Sequence, residues 1–132
     1  MTRRELRENT FRTLFFKEFH ELSEMEEQYV LYREVVASMT DKESEYVHNK
    51  VFDIISHLPQ IDEAIEKVSE GWNVFRMSKV DLTIIRLAYY EAKYEEDVPV
   101  SVAINEAVEI AKIYGGDDSP SFINGILGKL VE

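Results

Sequence analysis

The N-terminal stretch TRRELRENTFR, residues 2–12, carries four arginines, Arg3, Arg4, Arg7 and Arg12. The rest of the chain is acidic: residues 1–20 carry a net charge of +2, whereas the remaining 112 residues carry −13. A basic end on an acidic chain predicts a polyanionic partner for that end, and a nucleic acid is the candidate. Exposed arginines that only keep a surface helix soluble are the alternative interpretation.

Other residues that could do chemistry lack the spacing that catalysis requires. The chain has no glycine-rich phosphate loop, no G-x-S-x-G turn and no H-E-x-x-H pair. His20, His48 and His57 lie on different predicted helices or turns, without the spacing of metal ligands. The GGDD stretch at 115–118 lies between two predicted helices rather than two strands, so it is interpreted as a helix end followed by a helix start. The sequence therefore predicts no enzyme, no metal and no cofactor.

Composition indicates one globular domain spanning residues 1–132. Hydrophobic residues make up 45% of the chain and charged residues 31%, which is typical of a globular protein rather than a disordered one. The chain has no cysteine, so it can form neither disulfides nor thiolate metal sites. No apolar run approaches the roughly 20 residues that span a bilayer, and no secretory signal precedes the first helix. We expect a cytoplasmic protein that does not contact membranes.

The elements that must position these residues are predicted to be helices throughout. Capping-box spacing marks three helix starts, at Thr2 with Glu5, Ser23 with Glu26, and Thr40 with Glu43. Ser78 with Asp81 is a close variant, and Ser119 before Pro120 predicts a further N-cap.

Helical spacing of apolar residues predicts a compact bundle of six to seven helices. The first, about 3–22, should carry Leu14, Phe15, Phe19 and Leu22 on one inward stripe. The next are expected at about 24–39, at 41–58 with Leu58 facing inward, and in a short segment before Gly71. Pro59 is expected to break the chain after the third helix. The remaining helices are predicted at 79–94, 102–114 and 120–131.

Three contiguous stretches carry a family resemblance: RMSKVDLTIIRLAYYE at 76–91, DVPVSVAINEAVEIAK at 97–112 and YGGDDSPSFINGILGKL at 114–130. Together with the N-terminal arginines they resemble the bacterial NusB transcription antitermination family. The resemblance implies an all-helical fold of two packed helical halves without enzymatic activity. It also implies binding to single-stranded box A RNA of ribosomal RNA leaders, a heterodimer with the ribosomal protein NusE, and assembly on RNA polymerase to resist termination.

The resemblance also implies site residues. The four arginines are expected to hold RNA phosphates, and the Asp118, Ser119 and Phe122 turn is expected to contact RNA. Asp118 would accept hydrogen bonds from base or ribose donors or orient an arginine. Glu5 and Glu8 interrupt the basic cluster, so we expect modest affinity for RNA alone, with NusE supplying part of the surface.

The partner surface and several structural roles complete the expectations. The resemblance points to Phe15, Asp81 and Glu91 as NusE contacts, and the acidic body would complement a basic ribosomal protein. Phe122, Trp72 and Tyr89 could each stack on a base or pack in the core. Asn105, beside Glu106 in mid-helix, is expected to tie two helices together through its amide.

Two other functions remain open at this point. The chain could be a helical module that serves a ribosomal RNA methyltransferase, or a structural adaptor with no RNA specificity. The sequence also leaves open whether the protein forms a homodimer when no partner is bound.

Overall fold

The computed structural model describes residues 1–69 and 73–131, which form seven α-helices and no strand. They are α1 (Arg3–Phe15), α2 (Met25–Val35), α3 (Asp41–Ser56), α4 (Leu58–Val68), α5 (Lys79–Tyr94), α6 (Val100–Tyr114) and α7 (Ser119–Leu130). Two short 3₁₀ helices, Phe16–Glu18 and Leu22–Glu24, lie between α1 and α2. The predicted all-helical fold is confirmed. The chain divides into two compact units, Met1–Ile55 and Ser56–Glu132.

The first unit contains α1, α2 and α3. Apolar residues on α3 recur at intervals of three and four, so that one face of the helix is apolar. Four of these side chains are buried: Val47, Val51, Ile54 and Ile55. Tyr29 of α2 is also buried, and its hydroxyl donates a 2.7 Å hydrogen bond to the carbonyl of Ser44 on α3. This bond satisfies the polar end of the ring inside the core.

The second unit is built around α5. Leu82, Ile84, Ile85 and Leu87 of this helix are all buried, as expected for a segment with so little polar surface. Helices α5, α6 and α7 pack against one another, and α4 packs against α5 and α7. Arg86 of α5 donates two hydrogen bonds, each 2.8 Å long, from Nε and Nη2 to the carboxylate of Asp62 on α4. This paired geometry fixes the angle between the two helices more firmly than a single bond would.

Helix α1 is shorter than the sequence predicted. It ends at Phe15, and the 3₁₀ turn that follows interrupts the period of 3.6 residues. Leu14 is therefore buried and Phe15 half-buried, whereas Phe19 and Leu22 are exposed. The prediction that all four share an inward stripe is wrong for the last two.

Other helix boundaries also differ from the prediction. Helix α2 ends at Val35 instead of 39, and α3 ends at Ser56. Leu58 is buried as predicted but belongs to α4. Pro59 does not break the chain, because it occupies the first turn of α4, where a missing N–H costs no helical hydrogen bond. The predicted stop at Gly71 lies outside the described residues.

Two of the three predicted capping boxes are present. The hydroxyl of Thr2 accepts from the Glu5 N–H at 3.1 Å, and that of Thr40 accepts from the Glu43 N–H at 3.1 Å. In return, the carboxylates of Glu5 and Glu43 accept hydrogen bonds from the N–H groups of Thr2 and Thr40, respectively. Ser78 likewise accepts from the Asp81 N–H at 3.0 Å.

The predicted capping box of Ser23 with Glu26 is wrong. Ser23 lies inside a 3₁₀ helix, Leu22–Glu24, and α2 begins only at Met25. The carboxylate of Glu24 instead accepts from the Glu21 N–H at 2.8 Å, so the capping interaction sits two residues earlier in the chain.

The junction between α6 and α7 depends on the absence of a side chain at Gly115. A Cβ placed there would lie 2.6 Å from both Cβ and Oγ of Ser119, and 2.9 Å from the Ala111 carbonyl oxygen. The backbone at Gly115 is extended, with φ −91° and ψ −176°, so glycine is required by close approach rather than by backbone conformation. Ser119 also accepts a 3.0 Å hydrogen bond from the Gly116 N–H through its hydroxyl.

Replacing Gly115 by alanine should therefore destabilise the fold. We expect Gly115→Ala to lower the free energy of unfolding by about 1–3 kcal/mol, as overpacking does. Gly125→Ala is the matched control, because a Cβ there meets nothing within 4 Å in mid-helix. It should stabilise by about 0.5–1 kcal/mol. Urea unfolding of both variants measures the difference, and a Gly115→Ala protein as stable as the wild type would contradict the close approach.

Candidate functional site

The arginine segment lies at the start of the first unit, on α1. The Thr2–Glu5 capping box starts the helix directly before Arg3. With 3.6 residues per turn, Arg3, Arg4 and Arg7 spread over an arc of about 100°, whereas Arg12 lies on the side opposite Arg3. Arg12 is about 80° from Arg4 around the helix and about 12 Å further along its axis, so distance along the helix is what separates it from the first arginines.

The four arginines differ in exposure. Arg3 and Arg4 are exposed, and Arg3 makes no ion pair within the described residues. Arg7 is only 9% exposed, so its guanidinium is not fully presented to solvent. Arg12 lies 3.7 Å from the Glu8 carboxylate one turn earlier, which partly neutralises it. Arg3 and Arg4 are the pair best placed to contact a polyanion.

Glu43 of α3 anchors the residues that precede these arginines. Its Oε2 pairs with the N-terminal ammonium of Met1, while its Oε1 accepts a 2.9 Å bond from the Thr40 N–H. The hydrogen bond from the ammonium, followed by that from Thr40, lowers the pKa of Glu43 to about 2. The same bond to Glu43 raises the pKa of the N-terminal ammonium above its usual 8.0. One carboxylate thus caps α3 and fixes the start of the chain.

In the second unit, residues that the sequence assigned to two different partners meet in one cavity of about 430 Å³. We call it the α5–α7 pocket. Asp81, predicted for NusE, lines it together with Asp118, Ser119 and Phe122, predicted for RNA. The other lining residues are Arg76, Met77, Ser78, Gly116 and Asp117. The structure therefore brings the two predicted sites together at the N-terminal ends of α5 and α7.

The α5–α7 pocket is acidic and incompletely satisfied. The Oδ1 atom of Asp81 is buried yet has no hydrogen-bond partner among the described residues. Asp117 and Asp118 add two exposed carboxylates. The positive ends of two helix dipoles stabilise this concentration of negative charge. A buried carboxylate oxygen without a partner costs free energy, which a cationic hydrogen-bond donor would recover on binding.

One prediction about the start of α7 is corrected. Ser119 is not the N-cap: it is the first helical residue, is buried, and its hydroxyl accepts from Gly116. The carboxylate of Asp118, which holds the N-cap position, makes no capping hydrogen bond. Asp118 therefore presents its carboxylate to the pocket, whereas the Ser119 hydroxyl is already used inside the fold. Phe122 is half-buried and lines the pocket.

The other predicted NusE contacts lie in different surroundings. Phe15 is half-buried, with its ring stacked 6.1 Å from Phe11 and edge-on to Phe19 at 5.2 Å. Phe19 is 59% exposed and extends this aromatic row to the surface. Glu91 is only 1% exposed, so its carboxylate offers no surface to a partner protein, and we leave it out of the proposed interface.

Sequence reasoning missed Phe75, which is 93% exposed, and Arg76, which lines the α5–α7 pocket. The side chain of Asn73 accepts hydrogen bonds from the N–H groups of Phe75 and Arg76, at 3.0 and 3.1 Å, and so shapes the turn before α5. An asparagine two or three residues before such side chains is a local turn signal that could have indicated an ordered loop here.

The remaining predicted residues have separate outcomes. Trp72 lies outside the described residues, and Tyr89 is half-buried on α5. Asn105 is exposed and makes no hydrogen bond within the described part of the chain, so its predicted role as a tie between helices is wrong. Glu106 beside it is half-buried.

Two general features concern metal binding and membranes. Within residues 1–69 and 73–131, no three or more His, Asp or Glu side chains are grouped so that they could hold a metal ion. None of the helices in these ranges combines the length with the apolar character that crossing a bilayer requires.

Comparison with known proteins identifies relatives along the whole chain. The model of the NusB family matches residues 4–132. The chain is 51% identical to the transcription antitermination protein NusB of Lachnoclostridium phytofermentans over 132 residues, covering 100% of both chains. It is 50% identical to that of Agathobacter rectalis over 129 residues, 98% of each chain. Among solved structures, T. maritima NusB has a TM-score of 0.85 at 34% identity, covering 99% of this chain and 91% of the other.

The anchoring role of Glu43 predicts a defined pH dependence. Glu43→Gln keeps a capping side chain at this position but removes the charge that pairs with Met1. Because folding lowers the pKa of Glu43, the stabilisation that the wild type gains is complete above about pH 4.5 and disappears as the pH falls through about 2. Wild type should therefore melt above the variant at pH 5–7, and the two should converge near pH 2.

The control for this measurement is Glu45→Gln, which alters an exposed carboxylate on the same helix. It should show no comparable difference between pH 5 and pH 2. Thermal melting followed by circular dichroism gives both curves, and a wild-type advantage over Glu43→Gln that is constant down to pH 2 would contradict the ion pair.

Proposed function

The chain belongs to the NusB family of transcription antitermination proteins, and from this we propose that it binds single-stranded box A RNA of ribosomal RNA leaders jointly with the ribosomal protein NusE. Loaded onto RNA polymerase in the cytoplasm, this complex would suppress premature termination. The matched relatives are antitermination proteins along their full length, which favours this role over a methyltransferase module or an adaptor without RNA specificity.

Arg3 and Arg4 support the RNA half of the proposal. Single-stranded RNA is held by phosphate contacts and by bases that stack on aromatic faces. Both arginines are exposed, and the capping box and Glu43 hold the start of α1 in place. Arg12 contributes less because Glu8 competes for it, and Arg7 contributes less because it is largely buried.

The observation that best supports binding of NusE is the buried Oδ1 of Asp81, which has no hydrogen-bond partner among the described residues. The α5–α7 pocket concentrates three carboxylates, Asp81, Asp117 and Asp118, with the Phe122 ring among its lining residues. A lysine or arginine of a basic ribosomal protein would complete the hydrogen bonding of Asp81. A phosphate group would be repelled from the same place.

Asp118 and Phe122 remain in the proposed RNA site in a revised form. The Asp118 carboxylate accepts hydrogen bonds from base or ribose donors, and the exposed part of the Phe122 ring supports one base. Ser119 acts indirectly, because its hydroxyl positions the turn through Gly116. RNA and NusE would then meet at the rim of the α5–α7 pocket.

Removing the two exposed arginines should weaken RNA binding without unfolding the protein. We expect the double variant Arg3→Ala, Arg4→Ala to bind box A RNA more weakly. The slope of the logarithm of its binding constant against the logarithm of the salt concentration should be shallower by about 1.4. This is about 0.7 for each phosphate that an arginine no longer neutralises. Fluorescence titrations at several salt concentrations measure the slope.

The matched control removes two exposed lysines elsewhere, through Lys42→Ala and Lys93→Ala. These lysines make no ion pair within the described residues, so their removal changes the net charge equally. If both double variants lose the same affinity, the effect is one of overall charge, and the arginines do not form a specific site.

Reversing the charge in the α5–α7 pocket should separate the two partners. Asp81→Lys places an ammonium where we expect a cation of NusE, so NusE binding should fall at least 10-fold while the circular dichroism spectrum stays the same. Asp97→Lys makes the same charge change in the exposed loop before α6 and should leave NusE binding nearly unchanged. Equal losses in the two variants, measured by isothermal titration calorimetry, would remove the pocket from the NusE interface.

A further inference from the structure

A second groove lies between α6 and α7, with a volume of about 580 Å³. Its lining residues are Ser101, Ile104, Asn105 and Val108 of α6, and Pro120, Ser121 and Asn124 of α7. None of these residues lines the α5–α7 pocket. We call it the α6–α7 groove. The two cavities therefore flank the first turns of α7, separated by roughly the 10 Å width of a helix.

The α6–α7 groove has no ionisable side chain in its lining. This is unusual in a chain in which 31% of residues are charged and the net charge is −11. A polyanion is repelled by most of such a surface but meets no carboxylate in this groove. Lys112, one turn beyond Val108 on the same face of α6, is partly neutralised by Glu109 at 3.5 Å, so the groove is close to neutral rather than basic.

Two amides face the groove without partners. Asn105 and Asn124 are exposed, and neither makes a hydrogen bond within the described residues. Asparagine in mid-helix lowers helix stability relative to alanine, so these residues do not serve the fold. An amide offers donors and an acceptor side by side, which is the pattern that nucleobase edges match. Ile104, Val108 and Pro120 supply an apolar surface for the face of a base.

We propose that the α6–α7 groove is a second RNA subsite, which reads one or two unpaired bases through Asn105 and Asn124. The inference rests on the proposed function, and it extends the RNA beyond the segment held at the start of α7. Pro120 and Ser121 of the groove lie in the chain between Ser119 and Phe122 of the α5–α7 pocket, so both cavities adjoin the first turn of α7 and one extended strand can span them. Single-stranded RNA is read in this way, through base edges and base faces.

The test compares two RNAs on the full chain with NusE present: a minimal box A oligonucleotide, and the same oligonucleotide extended by four nucleotides at each end. The wild type should bind the extended RNA about 10-fold more tightly. The double variant Asn105→Ala, Asn124→Ala should bind the minimal RNA as the wild type does but lose this gain. Alanine is the stronger helix former, so a loss of affinity cannot arise from unfolding.

Gln60→Ala is the matched control, because it removes an exposed amide from α4, away from the groove lining. It should retain the full gain. An extension made of abasic nucleotides should give no gain with any variant, because the inferred contacts are to bases.

The outcomes separate this inference from the function on which it rests. If the wild type binds the minimal RNA but gains nothing from the extension, the subsite is overturned and the proposed function stands. If the asparagine variants lose NusE binding in the absence of RNA, the groove is a protein contact and the inference is wrong. If the wild type binds neither RNA, the proposed function fails and the inference fails with it.

Discussion

The close approach of Gly115 to Ser119 is the constraint on which the functional surface of the second unit depends. Because Gly115 has no Cβ, its backbone can approach Ser119 closely. Helix α6 can therefore end and α7 begin within a few residues, with Ser119 buried at the turn. This sharp junction places Asp118 and Phe122 opposite the first turn of α5 and leaves α6 and α7 side by side. The α5–α7 pocket and the α6–α7 groove both adjoin this short turn.

Positive and negative charges of the chain are concentrated at different places. The start of α1 presents exposed guanidinium groups, whereas the α5–α7 pocket gathers carboxylates at two helix N-termini. The positive ends of the helix dipoles stabilise these carboxylates in place of a cation from the chain itself. Asp81 Oδ1 therefore stays available to a cationic group of a partner protein. A chain with a net charge of −11 can in this way bind a polyanion at one place and a basic protein at another.

Interactions between neighbours in sequence could be predicted, and those between distant segments could not. The Thr2 and Thr40 capping boxes need only four residues each, so their spacing identified them, although the same spacing at Ser23 and Glu26 failed because the chain there forms a 3₁₀ helix. The burial of Glu91 and Arg7 and the exposure of Phe75 depend on packing by segments far away in the chain. The same holds for the cavity shared by Asp81 and Asp118, which are 37 positions apart. Family resemblance supplied candidate residues, but only the fold shows which of them meet.

Asn105 has no structural partner among the described residues that accounts for its position in the middle of α6. A mid-helix asparagine suggested a structural tie, because an amide in a helix lowers stability unless it bonds something. The structure shows the amide exposed and without a partner among the described residues, and it lines, together with Asn124, a groove that has no ionisable side chain in its lining. Two helix-weakening residues that line one groove are best explained by a ligand that bonds to both. Since the groove and the acidic pocket share α7 as a wall, an RNA strand that meets the basic protein at the rim of the pocket can continue across the same helix into the groove.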